Sequence, residues 1–404
     1  MKKSKSLKFT KNEKLLVSAL AFFQFTHIVD FMLLMPLGPV LIDQFAINNE
    51  EFSYLVSAYT FSAGLTALFA STFIDRYSRK KVLIFVFTGF LFGTLLCGLS
   101  PTYQLLLFSR IITGAFGGLI NSMVYSIIGD SFAYERRGSA TGIVMASFSA
   151  ASVLGIPISL FIANRFGWNW PFIVLFLVGF VFIAYAFFAI PISDRVPQKH
   201  AYADIFREKN HYPAFFLILA MMLAGFSMIP YISNFLVFDT VMTQEKLPMM
   251  YLLGGAATYI TSRLFGYLSD RYGKKIMFYI LATSSMVPMY MISRINYAYS
   301  VYGILAITTM FFIFTSGRMV PGMALITSVV SPKMRGSFMT FNTAIQQMSA
   351  GLATFLGGKI IAAESGHRMT GYQYVSYLAI AATFLSIGFV YIMRLHDEKN
   401  RVLE

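Results

Sequence analysis

Two ionisable residues lie in the middle of an apolar stretch near the start of the chain. The stretch FTHIVDFMLLMPLGP, residues 25–39, contains His27 and Asp30. Residues three apart on a helix share a face, so the imidazole and the carboxyl group can meet there. An imidazole titrates near neutral pH, and a carboxyl group among apolar residues is either neutral or placed beside water or a partner. The pattern therefore indicates a site that binds and releases a proton.

A third charged residue, Arg110, lies in the apolar stretch LLLFSRIITGAFGG. Burial disfavours the charged form of a carboxyl group, and a nearby cation favours it. Two interpretations of Asp30 follow. Either it carries a proton while Arg110 tunes its charge, or it forms a permanent pair with Arg110 and never titrates. His27 either shares the proton or packs on an apolar face without taking part.

The composition shows which elements must hold these residues. The chain of 404 residues is 57% hydrophobic and only 12% charged, with a mean hydropathy of +0.65. A soluble globular domain has about 25% charged residues. The composition therefore predicts a protein embedded in a lipid bilayer.

Apolar stretches long enough to cross a bilayer as helices recur along the chain. A crossing needs about 20 mostly apolar residues, whereas barrel strands would alternate over about ten residues, a pattern that is absent here. We predict an all-α membrane protein with twelve transmembrane helices, numbered here as segments 1 to 12. Their ranges are 15–42, 52–74, 82–99, 105–129, 138–163, 168–192, 212–238, 249–269, 276–293, 298–329, 336–360 and 370–393.

The positive charge is distributed as in a membrane protein, although a net charge of +14 also raises the question of nucleic acid. Most Lys and Arg residues fall in the two chain ends and in the connections after even-numbered segments. The positive-inside rule therefore places both termini in the cytoplasm. Nucleic acid is not an expected partner, and membrane lipids are.

The two halves of the chain repeat each other, which predicts two pseudo-symmetric six-helix bundles. The matching positions are Asp75–Arg76–Tyr77 with Asp270–Arg271–Tyr272, Arg137–Gly138 with Arg335–Gly336, and Pro36 with Pro230, at spacings of 195, 198 and 194 residues. The predicted divisions are a basic cytoplasmic tail (1–14), an N-terminal bundle (15–192), a cytoplasmic linker (193–211), a C-terminal bundle (212–393) and a cytoplasmic tail (394–404).

The connection after segment 2 resembles the signature of the major facilitator superfamily, G-x-L-A-D-R-x-G-R-K-x. Here the sequence is STFIDRYSRKK, and a second copy, GYLSDRYGKKI, begins at Gly266. The resemblance covers nearly the whole chain and implies the major facilitator fold. It also implies that Asp75 faces a helix amino terminus in the opposite half and latches one conformation. Alternatively, the motif cations only orient the loop. The gating residues implied are Asp75, Arg76, Arg79, Asp270, Arg271 and Lys274.

Further motifs resemble the bacterial drug:proton antiporters and the sugar- and nucleoside-efflux permeases. Segment 4 carries Arg110 followed by several glycines, and segment 5 carries Gly155 and Pro157 in SVLGIPISL. Pro36 and Pro39 predict a bend in segment 1 beyond Asp30. The resemblance implies that a carboxyl group in segment 1 carries the proton.

The second half differs chemically from the first, because Ala224 occupies the position that corresponds to Asp30. Arg318 and Arg263 offer cationic contacts for an anionic or zwitterionic solute, since arginine binds carboxylate and phosphate groups well. Alternatively, Arg318 pairs across the cavity and Arg263 extends towards the cytoplasmic surface. The uncharged candidates for substrate binding are Asn121, Tyr231, Asn234, Asn342 and Gln346.

The sequence therefore predicts a secondary transporter that exports a small organic solute in exchange for protons. It contains no phosphate-binding glycine loop, metal-ligand motif or nucleophile elbow, so we expect no enzyme activity, cofactor or metal. The alternatives are an uptake or uncoupled carrier, including one for amphiphiles or lipids, and a non-transporting receptor or scaffold. We expect a monomer in the inner membrane of a bacterium.

Overall fold

The computed structural model describes residues 9–70, 77–132, 134–190, 205, 207–330, 334–363 and 369–393. Every predicted segment contains at least one helix. Ten helical stretches among the described residues are long and apolar enough to cross a membrane. Segments 8 and 11 each contain a helix of 26 residues, which at about 1.5 Å per residue is also long enough to cross. The all-α membrane fold is confirmed, and the number twelve stays a prediction.

The first half contains segments 1 to 6. Segment 1 is broken between Leu33 and Gly38, around Pro36, because proline lacks an N–H donor and its ring clashes with the preceding turn. Segment 5 contains a short π-helix, Ala151–Gly155, just before Pro157. The helices are Lys11–Leu33, Gly38–Phe45, Asn49–Ala70, Arg79–Gly98, Tyr103–Ser131, Tyr134–Ala150, Ile156–Phe166 and Trp170–Ala189.

The second half contains segments 7 to 12 and repeats the break in its first segment. A short 3-10 helix, Ile229–Tyr231, interrupts segment 7 at Pro230, so the predicted match between Pro36 and Pro230 is confirmed as a matched pair of breaks. The helices are His211–Phe226, Ile232–Asp239, Leu247–Tyr272, Lys274–Ile292, Val301–Gly317, Met319–Ser328, Arg335–Ile360 and Tyr372–Ile392. A two-residue strand, Ala362–Ala363, pairs antiparallel with Met369–Thr370.

The hydrophobic core is shared between the halves on one side only. We call the side where Lys11 and Ile392 lie the terminal side, and the opposite side the distal side. A cluster on the distal side contains residues of both halves, among them Leu37 and Tyr231. On the terminal side, one cluster belongs to segments 1–6 and another to residues 205–393. The two halves therefore share a core on the distal side and have separate cores on the terminal side.

Polar contacts between the halves lie on the distal side as well. The Asn234 Nδ2 atom donates a hydrogen bond to the Asn49 Oδ1 atom at 3.1 Å. The Lys359 ammonium group lies 2.8 Å from the Glu50 carboxylate. These contacts join the distal ends of segments 7 and 11 to the distal end of segment 2.

Segments 2 and 11 approach each other closely because glycines line their contact. A Cβ atom at Gly351 would lie 2.7 Å from the Thr60 hydroxyl oxygen, and one at Gly358 would collide with Ser53. Small residues of this kind let membrane helices pack backbone to backbone. Side chains larger than hydrogen at these positions would therefore separate the two halves.

Candidate functional site

The centre of the candidate site is an ion pair inside the first bundle. The Arg110 Nη1 atom of segment 4 lies 2.9 Å from the Asp30 Oδ2 atom of segment 1, and both side chains are fully buried. Thr94 of segment 3 donates a hydrogen bond to the other carboxylate oxygen at 3.0 Å. The two residues are in contact, and the choice between a proton carrier tuned by Arg110 and a permanent pair stays a prediction. A charged pair at this depth is costly unless its geometry and hydrogen bonds are good, and here both oxygens of the carboxylate have partners.

The guanidinium group of Arg110 also lies over an aromatic ring. Its Cζ atom is 4.4 Å from the centroid of the Tyr59 ring in segment 2. The Nε and Nη2 groups of Arg110 find no hydrogen-bond acceptor among the described residues. The ring of Tyr59 is therefore the second attractive group that this cation contacts, after the carboxylate.

Two glycines of segment 4 make room for Tyr59. A Cβ atom at Gly114 would collide with the Tyr59 carbonyl group, and one at Gly117 would collide with the Tyr59 hydroxyl group. These glycines were the only signal in the sequence for a large side chain opposite Arg110. Tyr59 and Thr94 were both missed, because an aromatic or hydroxyl residue in an apolar helix has no diagnostic spacing of its own.

His27 lies one turn before Asp30, as predicted, and its ring lies near two aromatic rings. Its centroid is 6.3 Å from that of Tyr59 and 5.9 Å from that of Phe90. Neither ring nitrogen has a hydrogen-bond partner among the described residues. That His27 takes part in proton coupling stays a prediction.

The second bundle contains a buried arginine without a carboxylate beside it. Arg318 is fully buried, and its Nη1 atom donates to Thr383 at 2.8 Å and to Ser285 at 3.3 Å. No salt bridge to Arg318 is formed within the described part of the chain. The guanidinium points towards segments 9 and 12, inside the bundle. A contact with substrate would need it to face the space between the bundles.

Two of the predicted substrate-binding residues lie in the distal contact between the halves. Tyr231 is fully buried, and its hydroxyl group donates to the Thr354 carbonyl oxygen at 2.5 Å. Asn234 pairs with Asn49 and packs against Gly38. Both residues therefore help to close the distal side in this conformation.

The other uncharged candidates keep polar atoms without partners. Asn342 is fully buried, and neither its oxygen nor its nitrogen has a hydrogen-bond partner among the described residues. The Asn121 oxygen is also buried without one, and Gln346 is half-buried. Arg263, in contrast, is exposed and donates a hydrogen bond to the Tyr259 hydroxyl group while stacking on that ring.

The predicted gating motif is described in part. Asp75 and Arg76 lie outside the described residues. Arg79 pairs with Asp130 at the end of segment 4, with 2.8 Å between Nε and the carboxylate. In the second copy, Asp270 and Arg271 are exposed at the end of segment 8, and Lys274 begins segment 9.

The predicted antiporter-like positions of segment 5 lie where three helices meet. A Cβ atom at Gly155 would collide with Val29, the neighbour of Asp30 in segment 1. One turn earlier, the Ser152 carbonyl oxygen lies against Gly255 of segment 8. The π-helix before Pro157 therefore contacts both the ion-pair helix and the opposite half.

Comparison with known proteins identifies the family. The sequence profile of the Major Facilitator Superfamily matches residues 20–260 and 214–404. The chain therefore belongs to this superfamily, as its motifs predicted. It is a multi-pass membrane transporter and not an enzyme.

Several relatives come from Bacillus subtilis (strain 168). The uncharacterized MFS-type transporter YceJ is 24% identical over 380 residues, which cover 91% of this chain and 92% of YceJ. Multidrug resistance protein 2 is 25% identical over 258 residues, which cover 61% of this chain and 64% of that protein. Membership of the superfamily implies that the chain carries a small-molecule substrate.

Solved structures share the fold. A bacterial homolog of the human lysosomal transporter Spinster, in an inward-facing and occupied conformation, superposes with a TM-score of 0.73 at 13% identity. The match covers 96% of this chain and 97% of that one. At this identity the likeness concerns the fold alone.

Proposed function

We propose that this protein exports a small organic solute in exchange for protons, and that Asp30 carries the proton. The observation that supports this proposal most strongly is the fully buried pair of Asp30 and Arg110. The relationship to a multidrug resistance protein supports export as the direction.

Breaking the pair of Asp30 and Arg110 costs free energy. Protonation neutralises the Asp30 carboxylate and leaves the Arg110 cation without compensation. Removal of one partner from a buried ion pair costs about 3–5 kcal/mol. A difference of about 1.4 kcal/mol changes an equilibrium tenfold, so proton binding at this place strongly favours any conformation that offers Arg110 another partner or water. Proton binding and the change of conformation are thereby linked.

Contacts between the halves on the distal side support a closed distal side. The shared core, the Asn49–Asn234 contact and the Glu50–Lys359 contact all lie there. We propose that this conformation opens to the terminal side and, with both termini in the cytoplasm as proposed, corresponds to an inward-facing state. Export then proceeds by rocking of one bundle against the other, with the solute bound near the midplane.

Uncharged polar groups are the proposed contacts of the solute. Asn121, Asn342 and Gln346 have amide groups that can donate and accept hydrogen bonds, and they come from both halves. We propose a neutral or zwitterionic solute. Arg318 was the residue that suggested an anionic solute, but its guanidinium group points into its own bundle. The protein acts as a monomer in the cytoplasmic membrane of a bacterium.

Purified protein in liposomes that hold a pH-sensitive dye tests this proposal. Candidate solutes are added to wild type and to Asp30→Asn. Solute-dependent proton movement in wild type, lost in the variant, is the expected result. Asp43→Asn is the matched control, because Asp43 lies just beyond segment 1, in the helix Gly38–Phe45, and is exposed. Solute movement without proton movement in wild type indicates an uncoupled carrier, and no solute movement from a broad panel favours a receptor or scaffold.

A further inference from the structure

Tyr59 lies between the ion pair and the opposite half of the protein. Its ring contacts Arg110 at 4.4 Å on one side. Its centroid also lies 5.2 Å from that of Phe31, the residue after Asp30. Phe31 in turn lies 6.0 Å from Phe226 of segment 7, in the second half. Four side chains in contact therefore connect the buried cation to the second bundle.

The next residue of segment 2 makes another contact with the second half. Thr60 lies against Gly351 of segment 11, so closely that a Cβ atom there would not fit. Tyr59 is fully buried, and glycines of segment 4 hold its backbone and hydroxyl group. A displacement of the Tyr59 ring therefore moves segment 2 at the point where segment 2 meets segment 11.

The charged and titratable groups around Tyr59 come from three helices. They are His27 and Asp30 of segment 1, Cys97 of segment 3 and Arg110 of segment 4. Among them, Arg110 lies over the face of the ring, with its Cζ atom 4.4 Å from the centroid. The Tyr59 hydroxyl group has no hydrogen-bond partner among the described residues. The ring face, and not the hydroxyl group, is therefore the part that senses the site.

We propose that Tyr59 is a positioning residue that transmits the charge state of Asp30 to the contact between the halves, through the stacking of its ring on Arg110. This inference rests on the proposed proton coupling. A protonated Asp30 no longer holds Arg110, and the electron-rich ring face becomes the main attraction for the guanidinium. The cation is then attracted to the ring more strongly, and the ring is displaced towards it. The contacts of Phe31 and Thr60 transmit this displacement to segments 7 and 11.

The test compares Tyr59→Phe with Tyr59→Leu in the liposome assay. Tyr59→Phe keeps the ring and removes only the hydroxyl group without a partner, so we expect wild-type coupling. Tyr59→Leu removes the ring. We expect its downhill solute movement to persist while protons moved per solute fall about tenfold. The pH of half-maximal proton movement should also fall by about one unit, a tenfold change in proton affinity, because the protonated state loses the group that stabilises Arg110.

Fluorinated phenylalanines at position 59 provide a second series that keeps the shape of the ring. Added fluorine weakens the negative face of the ring, so coupling should decline stepwise with the number of fluorine atoms. A purely structural role predicts no such trend. Equal coupling in wild type, Tyr59→Leu and the fluorinated series overturns the inference, and so does an equal loss in Tyr59→Phe and Tyr59→Leu. If wild type itself moves no protons, the proposed function fails instead.

Discussion

Arg110 and Arg318 are buried arginines in corresponding helices of the two bundles, but only Arg110 contacts a carboxylate. Arg110 meets Asp30 at 2.9 Å, whereas Arg318 donates only to the hydroxyl groups of Thr383 and Ser285. The two halves repeat each other in backbone and motif, but among the described residues a carboxylate pairs with the buried arginine of the first half and not with that of the second. This asymmetry gives the two arginines opposite expected roles.

Removal of one member of the Asp30–Arg110 pair should destabilise the protein, and removal of both should not. Asp30→Asn and Arg110→Met each leave one buried group without its partner, at a cost of about 3–5 kcal/mol. The double variant should recover most of that loss. Thermal unfolding of the four purified proteins in detergent measures the interaction as a double-mutant cycle. Additive effects would show that the pair contributes nothing as a pair.

Arg318→Met should fold at least as well as wild type. The substitution removes a buried cation that has no carboxylate partner among the described residues, which relieves a desolvation cost. The hydroxyl groups left behind already donate to the carbonyl oxygens of Ala379 and Ala282. The unfolding temperature is the first measurement, and a drop of several degrees contradicts the expectation.

The same Arg318→Met protein tests the predicted contact with substrate. A well-folded variant that transports at the wild-type rate places Arg318 outside the solute's path. If transport is lost while the unfolding temperature is unchanged, Arg318 contacts the solute in another conformation. Arg110→Met supplies the comparison, because it should lose coupling.

Gly358→Val should block the closed distal side. The branched side chain would collide with Ser53 and hold segment 11 away from segment 2. We expect loss of transport and faster reaction of Asn49→Cys with a membrane-impermeant thiol reagent, in a Cys97→Ser background. Gly388→Val is the matched control, because nothing lies within 4 Å of a Cβ atom there. Wild-type transport by Gly358→Val would contradict the glycine contact.

The ion pair at the distal edge should matter much less than these glycines. Lys359 and Glu50 lie 2.8 Å apart, but their side chains remain 51% and 39% exposed. Exposed pairs are screened by water and contribute little. Glu50→Gln should therefore change the transport rate by less than about twofold, measured beside Gly358→Val. A loss as complete as that of the glycine variant would mean that this ion pair controls closure.

The sequence alone predicted the parts of the site in which a charged group is buried, because burying a charge costs free energy. A carboxylate and a guanidinium in apolar helices require compensation, so the contact between Asp30 and Arg110 could be predicted without a structure. The breaks at Pro36 and Pro230 followed from the missing donor of proline. These features depend on residue type and position along the chain.

The side-chain contacts that the sequence did not predict depend on how each helix is rotated about its axis. Segments 2 and 10 are apolar on every face, so periodicity does not indicate which face turns inward. Tyr59 was therefore not distinguished from the other aromatic residues, and the contacts of Arg318 with Thr383 and Ser285 were not predicted. Packing against neighbouring helices sets these rotations, and the sequence of a single segment does not contain that information.

The most direct test of the account is uphill transport driven by an imposed pH gradient. Liposomes with an acidic interior, containing wild type or Asp30→Asn, are given a radiolabelled solute identified in the dye assay at equal concentration inside and outside. We expect wild type to concentrate the solute inside, whereas Asp30→Asn only exchanges it at equal concentrations. Accumulation by Asp30→Asn to the level of wild type would contradict the assignment of the proton to Asp30.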